Sequence, residues 1–184
     1  MSELVASQAT VERRLLQSVV DVARYAFGAA ASSIFLVDPA TGELVFEAVS
    51  GQGGSRLVGT RFPPGTGIAG WVASSGQSLL VDDLSASPQF ARDAAASTDY
   101  VPNSLMAAPL FTADGVIGVL EVLDRGATAV RVTADVELFD LLADQAAIGL
   151  ELLTRLRLGG MDQRSDRALR LLEAVESMLA TSHG

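Results

Sequence analysis

Few side chains in this sequence are of the types that carry out catalysis. It has no cysteine, and all 13 basic residues are arginine. Thiol catalysis, thiolate metal sites, disulfides and Schiff-base chemistry are therefore excluded. The single histidine, His183, stands next to the last residue, where a surface role is the usual one. We expect no metal site and no cofactor.

The adjacent acids Asp82 and Asp83 are the pair most suggestive of acid–base chemistry. They follow a short apolar run, and adjacent positions on a strand face opposite sides of a sheet. They therefore fit turn formation better than a shared catalytic site. Since no nucleophile, base and orienting group stand at recognisable spacing, we expect no enzymatic activity.

The composition is that of a folded, acidic protein. Hydrophobic residues make up 49% and charged residues 19%, and the net charge is −9. Such a charge repels phosphate backbones, so we expect no nucleic-acid partner. No apolar run reaches the roughly 18 residues of a membrane span, and the N-terminus lacks a signal-peptide pattern. We expect a cytoplasmic protein without membrane contact.

Apolar periodicity predicts the elements that would position any site. A helix over 9–28 carries two neighbouring seams, which allow it to contact two surfaces. A hairpin with strands at 32–38 and 43–50 follows, closed by the turn Asp38-Pro39-Ala40-Thr41-Gly42. A short helix at 67–75 and a brief strand, Leu79 to Val81, come next.

The second half predicts another hairpin and a long helix. Its strands are 104–111 and 116–123, and Pro109 indicates an edge position or a bulge. A helix then runs from Thr133 to about Leu158, Gly159-Gly160 breaks it, and a last helix spans 166–180. We therefore divide the chain into a domain at 1–158 and a tail at 159–184.

Glu121 is conspicuous because it interrupts the apolar strand 116–123. A buried carboxylate without a partner is costly, so either its side of the strand is wet, at the pocket or at the dimer side, or it pairs with an arginine such as Arg125. We expect the second. Arg164, Arg167 and Arg170 recur along the tail helix among acidic residues, which indicates a solvated face.

Five segments in this order resemble the GAF domain over residues 9–156: ASSIFLVDPATGEL at 31–44, GTGIAGWVASSGQSLLVDDL at 65–84, SLMAAPLF at 104–111, GVIGVLEVLD at 115–124 and DLLADQAAIGLE at 140–151. The resemblance implies an α+β fold. An antiparallel sheet of five or six strands would carry the terminal helices on one face, and short helices and loops would form a small-molecule pocket on the other.

The resemblance also implies where a ligand and a second subunit would bind. The pocket residues would be Phe46, Ile68, Trp71, Asp82, Phe90, Tyr100, Asn103 and Met106. The homodimer interface would be Leu15, Val19, Val22, Leu142, Ala146, Gly149, Leu153 and Leu156. Bilin attachment and methionine-sulfoxide reduction in GAF relatives need cysteine, and haem binding needs a histidine within the domain. The cyclic-GMP signature needs lysine. The sequence offers none of these residues at 9–156, which argues against these family functions.

We therefore expect a non-catalytic sensory module that binds a small ligand and signals through the helices of a homodimer to a protein partner. It would be a stand-alone protein or the sensory part of a longer one. The alternative is a dimerisation or docking module whose pocket is closed by Trp71, Phe90 and Met106. The ligand and the partner are not identified by the sequence.

Overall fold

The sheet consists of two antiparallel three-stranded meanders, and the first strand of one pairs with the last strand of the other. The computed structural model describes residues 2–52, 54–84, 100–126 and 132–181. The strand order is β3-β2-β1-β6-β5-β4, and every pairing is antiparallel. The elements along the chain are α1 Ser2–Ala26, β1 Ala31–Val37, β2 Leu44–Gly51, a 3-10 turn Ser55–Leu57, β3 Arg61–Phe62, α2 Gly67–Ser75, β4 Leu79–Val81, β5 Leu105–Thr112, β6 Gly115–Leu123 and α3 Val132–Thr181. The predicted α+β fold with an antiparallel sheet is confirmed.

The first hairpin forms because its turn satisfies its own polar groups. The carboxylate of Asp38 accepts a hydrogen bond from the N–H of Ala40, and the N–H of Gly42 donates to the carbonyl of Asp38. Gly42 adopts a φ of +73°, which favours glycine. The guanidinium of Arg61 on β3 contacts the carboxylates of Asp38 and Glu43 at 2.7 and 2.8 Å, which ties the turn to the sheet edge.

The helices α1 and α2 lie on opposite faces of the sheet. Helix α1 contacts β1, β2 and β6, and buries Leu16, Val20, Ala23 and Phe27. It ends in a Schellman motif, in which the N–H of Ala29 donates to Arg24 and that of Gly28 donates to Tyr25. Helix α3 packs beside α1, with the rings of Phe27 and Phe139 edge to face at 5.5 Å.

The opposite face carries an apolar cluster under α2, which contacts β5 and β6. A bulge in β2 feeds this cluster. Ile34 pairs with Ala48 but Phe35 pairs with Phe46, so Glu47 is the extra residue. Because of the bulge, Phe46 and Val49 both join the cluster although strict alternation would separate them.

Pro109 lies in β5 beyond the residues that pair with β4, which end at Ala107. A register shift between Leu110 and Phe111 follows directly. Proline has no backbone N–H, and Pro109 lies where β5 pairs with β6 but no longer with β4. The edge position or bulge predicted at Pro109 is therefore confirmed.

The helix break predicted at Gly159-Gly160 is wrong, because α3 is one helix of 50 residues, Val132–Thr181. Each glycine costs a helix about 1 kcal/mol relative to alanine, which good helix formers on both sides can offset when no proline is present. The compact units of the chain are Met1–Gly149 and Leu150–Gly184. The predicted domain division at residue 158 stays a prediction. Helix α1 also begins at Ser2, seven residues before the predicted start.

Candidate functional site

A cavity of about 100 Å³ lies between the sheet and the segment that holds α2. Its wall is mostly apolar, with Phe35, Phe46, Phe62, Ile68, Leu105 and Leu123 among the lining residues. The polar residues of the lining include Ser33, Gln52, Thr66, Tyr100 and Glu121. An apolar cavity with a few convergent polar groups is the usual form of a small-molecule site.

Three phenylalanines form one side of the cavity. The ring centroids of Phe35 and Phe46 are 4.1 Å apart, and Phe62 on β3 lies 6.3 Å from Phe35 and 5.7 Å from Phe46. Strand pairing produces this arrangement, since Phe35 and Phe46 are direct partners across β1 and β2. The rings present an aromatic surface to anything that enters the cavity.

Glu121 brings a carboxyl group to the same cavity. It is 7% exposed, and it pairs across the strands with Ser33 of β1 and Ala107 of β5. Burial alone raises the pKa of Glu121 to about 8. The group is therefore mostly protonated at neutral pH.

The predicted pairing of Glu121 with Arg125 is wrong, and the alternative, a strand side that opens onto the pocket, is the one observed. Arg125 instead contacts the carboxylates of Asp82 and Asp135, each at 3.1 Å. The two residues lie four positions apart at the end of β6, and Arg125 follows the strand rather than continuing it. Its guanidinium, 9% exposed, joins the ends of β4 and β6 to the first turn of α3.

Tyr100 is held at the cavity wall by Asp124. The tyrosine hydroxyl donates to the Asp124 carboxylate, which also accepts the N–H groups of Asn103 and Ser104 at 2.8 and 2.9 Å. Burial and this hydrogen bond raise the pKa of Tyr100 to about 12. Asp124 has a φ of +49°, a conformation that aspartate tolerates better than most residues. Asp124 was not among the site residues predicted from the sequence, although an aspartate directly after a strand is a recognisable turn signal.

The predicted pocket residues are only partly brought together. Phe46, Ile68 and Tyr100 line the cavity, and Phe90 lies outside the described residues. Trp71 packs half-buried against the apolar cluster. The remaining three, Asp82, Asn103 and Met106, do not line the cavity.

Each of these three has a local reason. Asp82 is exposed and paired with Arg125, and the backbone of Asn103 bonds with Leu84 and Asp124. Met106 is 1% exposed but is not part of the apolar cluster on the cavity side. Its neighbour Leu105 belongs to that cluster, and adjacent strand residues face opposite sides.

Part of the predicted dimer seam packs within the chain itself, and the seam as an interface stays a prediction. Ala146 is 0% exposed, and a Cβ on Gly149 would lie 2.7 Å from Cδ2 of Leu15 in the same chain. Of the other predicted residues, Val22 and Leu156 are exposed, while Val19, Leu142 and Leu153 are half-buried. The neighbouring seam is more exposed, with Leu138, Leu141 and Ile148 at 45%, 60% and 52%.

Within the described ranges, no cluster of three or more histidine, cysteine, aspartate or glutamate side chains could hold a metal ion. No described helix has the length and apolar character needed to cross a membrane.

Comparisons with known proteins agree on one family. The GAF domain family model matches residues 12–150. A curated relative, the probable 3',5'-cyclic phosphodiesterase pde-5 of Caenorhabditis elegans, is 26% identical over 115 residues, which are 62% of this chain and 15% of that protein. The chain thus spans a small part of the length of that relative.

Two solved structures show the same fold. The GAF domain of a phosphoenolpyruvate-protein phosphotransferase from Coxiella burnetii superposes with a TM-score of 0.70 at 21% identity, covering 82% of this chain and 86% of that one. The free methionine-R-sulfoxide reductase of Neisseria meningitidis, solved with its substrate, has a TM-score of 0.65 at 24% identity, covering 84% and 90%. GAF domains are small-ligand-binding sensory and regulatory modules and are generally not catalytic. The matched residues, the sheet order and these neighbours together show that the chain belongs to the GAF domain family.

Proposed function

We propose that the chain is a non-catalytic regulatory module that binds a small ligand in the cavity beside α2 and signals through α1 and α3 of a homodimer. The observation that carries the proposal is the cavity itself. It lies on the sheet face opposite α1, and it combines an aromatic wall with the buried polar groups of Ser33 and Glu121. A packed core with no ligand would gain nothing from those polar groups.

The site chemistry supports binding rather than turnover. Glu121 and Tyr100 are the titratable side chains among the described residues that line the cavity, and the Tyr100 hydroxyl is engaged by Asp124. The Ser33 hydroxyl lies opposite Glu121, but no hydrogen bond joins these two described side chains, so nothing activates the hydroxyl as a nucleophile. The cysteine on which methionine-sulfoxide reduction depends does not occur in this sequence.

On α3, a homodimer would use the more exposed neighbouring seam in place of Ala146 and Gly149, which pack within the chain. Leu138, Leu141 and Ile148 recur at helical spacing with about half of each side chain in solvent. On α1, Val22 and Tyr25 are 48% and 87% exposed. Exposed apolar side chains at this density favour a partner helix.

Native mass spectrometry of freshly purified protein, followed by denaturing mass spectrometry, tests both parts of the proposal. We expect a dimer that carries extra mass lost on denaturation. Leu141→Asp should give a monomer, whereas Val58→Asp, which places the same charge at a valine 45% exposed outside the helices, should leave the dimer intact. A monomer that carries no extra mass and binds nothing across a metabolite panel would refute the proposal.

The second candidate is a docking module without a ligand. It is favoured by the size of the cavity, about 100 Å³, against the roughly 300–1,000 Å³ of ordinary ligand pockets. Deleting residues 161–184 should abolish partner binding under this alternative and leave ligand binding intact under the first. The cytoplasmic location and a signalling partner stay predictions.

A further inference from the structure

Glu121 is unexplained by the fold. It occupies an interior position of β6, between Leu120 and Val122, both of which are 0% exposed. The Glu121 carboxyl makes no hydrogen bond or ion pair within the described part of the chain. Every fully enclosed side-chain oxygen or nitrogen in that part does have a hydrogen-bond partner. The carboxyl oxygens are therefore not fully enclosed, and the space they reach is the cavity that Glu121 lines.

The groups around Glu121 leave its charge uncompensated on every side. Strand β1 presents Ser33, β5 presents Ala107, and β2 presents Phe46 and Val49. The start of α2 adds backbone and apolar atoms, and Tyr100 is the other titratable residue of the described lining. No arginine lines the cavity as described, so a phosphate or carboxylate ligand would meet a carboxyl group without a countercharge.

The aromatic wall stands next to this carboxyl. Ser33 is the direct partner of Glu121, and Phe35 is two positions further along the same face of β1. Such diagonal neighbours lie roughly 7–8 Å apart, which lets one small ligand contact both. Aromatic ring faces attract cations within about 6 Å of the ring centroid. An organic cation is thus the ligand that both the carboxylate and the rings would attract.

We propose that this cavity binds a small organic cation, a protonated amine or amidine, with its charged group on the Glu121 carboxylate and its apolar part against Phe35, Phe46 and Phe62. The inference rests on the proposed function, in which the cavity holds a ligand. The volume of about 100 Å³ limits the buried part to a short aliphatic chain, since an apolar cavity that holds benzene has roughly 150 Å³.

Binding must release a proton. The free carboxyl is mostly protonated at neutral pH, whereas the cation binds the carboxylate, so one proton leaves for each cation bound. With a pKa of about 8, the competent carboxylate fraction is about 1% at pH 6 and about half at pH 8. The apparent affinity should therefore rise about 50-fold over this range.

Two probes of nearly equal shape test the inference. Propylammonium remains charged between pH 6 and pH 8, and 1-propanol is its neutral counterpart. Titrations followed by NMR of labelled protein should show shifts at cavity residues with both probes, and about tenfold tighter binding of the cation at pH 8 because hydrogen bonds between charged groups are the stronger ones. Calorimetry in buffers of different ionisation enthalpy should show proton release at pH 6.5.

Matched substitutions assign the effect to the carboxyl. Glu121→Gln should abolish both the preference for the cation and the pH dependence. Glu47→Gln makes the same chemical change on β2, at a residue that does not line the cavity and that experiences the charges of Glu12 and Arg13. It should bind both probes as the unchanged protein does. Thermal unfolding of each variant confirms that it is folded.

Equal binding of the two probes, or retention of the cation preference in Glu121→Gln, would overturn the cation assignment while leaving the cavity as a ligand site. Absence of shifts at cavity residues with propylammonium at millimolar concentration would also overturn it. The proposed function is judged separately by the co-purified mass, so either idea can fail without the other.

Discussion

Replacing Glu121 by glutamine should stabilise the domain, and the gain should depend on pH. Glutamine keeps the shape and polarity of the side chain and removes its titration. Burial raises the pKa of Glu121 in the folded state to about 8, against an ordinary value of 4.5 in an unfolded chain. The folded protein therefore binds this proton more tightly, and its stability falls as the pH rises from 4.5 to 8.

The magnitude follows from the two pKa values of Glu121, 4.5 and about 8. Between the pKa of the unfolded chain and the pKa of the folded protein, each pH unit lowers the free energy of unfolding by about 1.4 kcal/mol. At pH 7 the cost relative to glutamine is roughly 3 kcal/mol, and above pH 8 it no longer grows. For a chain of this size, that difference corresponds to roughly 6–12 °C in Tm. Near pH 4.5 the two proteins should be almost equally stable.

Urea unfolding at several pH values between 4.5 and 8.5 measures this difference directly. Glu47→Gln is the control. Partial burial and the charge of Glu12 also raise the pKa of Glu47, but its side chain is more exposed to solvent than that of Glu121. Its stability gain should have the same sign and be smaller. A difference between Glu121→Gln and the unchanged protein that stays constant across this pH range would refute the argument that the carboxyl is buried without a partner.

Three further substitutions test the packing. Gly159→Ala should stabilise α3 by up to about 1 kcal/mol and increase helicity by circular dichroism, since nothing lies within 4 Å of the added Cβ. Gly118→Ala should destabilise by about 1–3 kcal/mol in urea, because its Cβ would lie 2.3 Å from a carbonyl oxygen of β1; an unchanged midpoint would contradict this close approach. Arg125→Lys should lower the Tm more than Asp82→Asn does. The two guanidinium nitrogens of Arg125 contact Asp82 and Asp135 separately, which one ammonium group cannot do, and the Asp82 carboxylate is 71% exposed, so its loss should cost little.

Short-range signals in the sequence predicted the strands and the short helix well. Helix α2 has the predicted bounds 67–75, because glycines mark both ends: Gly67 has a φ of +64° and Gly76 a φ of +66°. The first hairpin lies within one residue of the predicted strands for a similar reason, since its turn residues bond to one another. Such local chemistry does not depend on the rest of the fold.

The composition of the site was harder to predict, because it depends on which side of a strand faces which layer. Residues Leu105 to Leu110 are all buried, so the apolar pattern of β5 carries no alternation that could separate Leu105 from Met106. The bulge at Glu47 changes the alternation in β2 without a local signal. Glu121 was recognised as anomalous, but its surroundings come from β1, β2 and β5, which are distant in sequence.

The pairing of β1 with β6 at the centre of the sheet has a consequence for biosynthesis. The hydroxyl of Ser32 donates to the carbonyl of Glu121, across a sequence separation of 89 residues. Until β6 leaves the ribosome, the β1–β3 meander presents the apolar strand Ala31–Val37 as an unpaired edge, the feature through which nascent chains aggregate. The central pairing of the sheet therefore cannot form until β6 is made, and chains truncated before Leu123 should aggregate more readily than chains that include it.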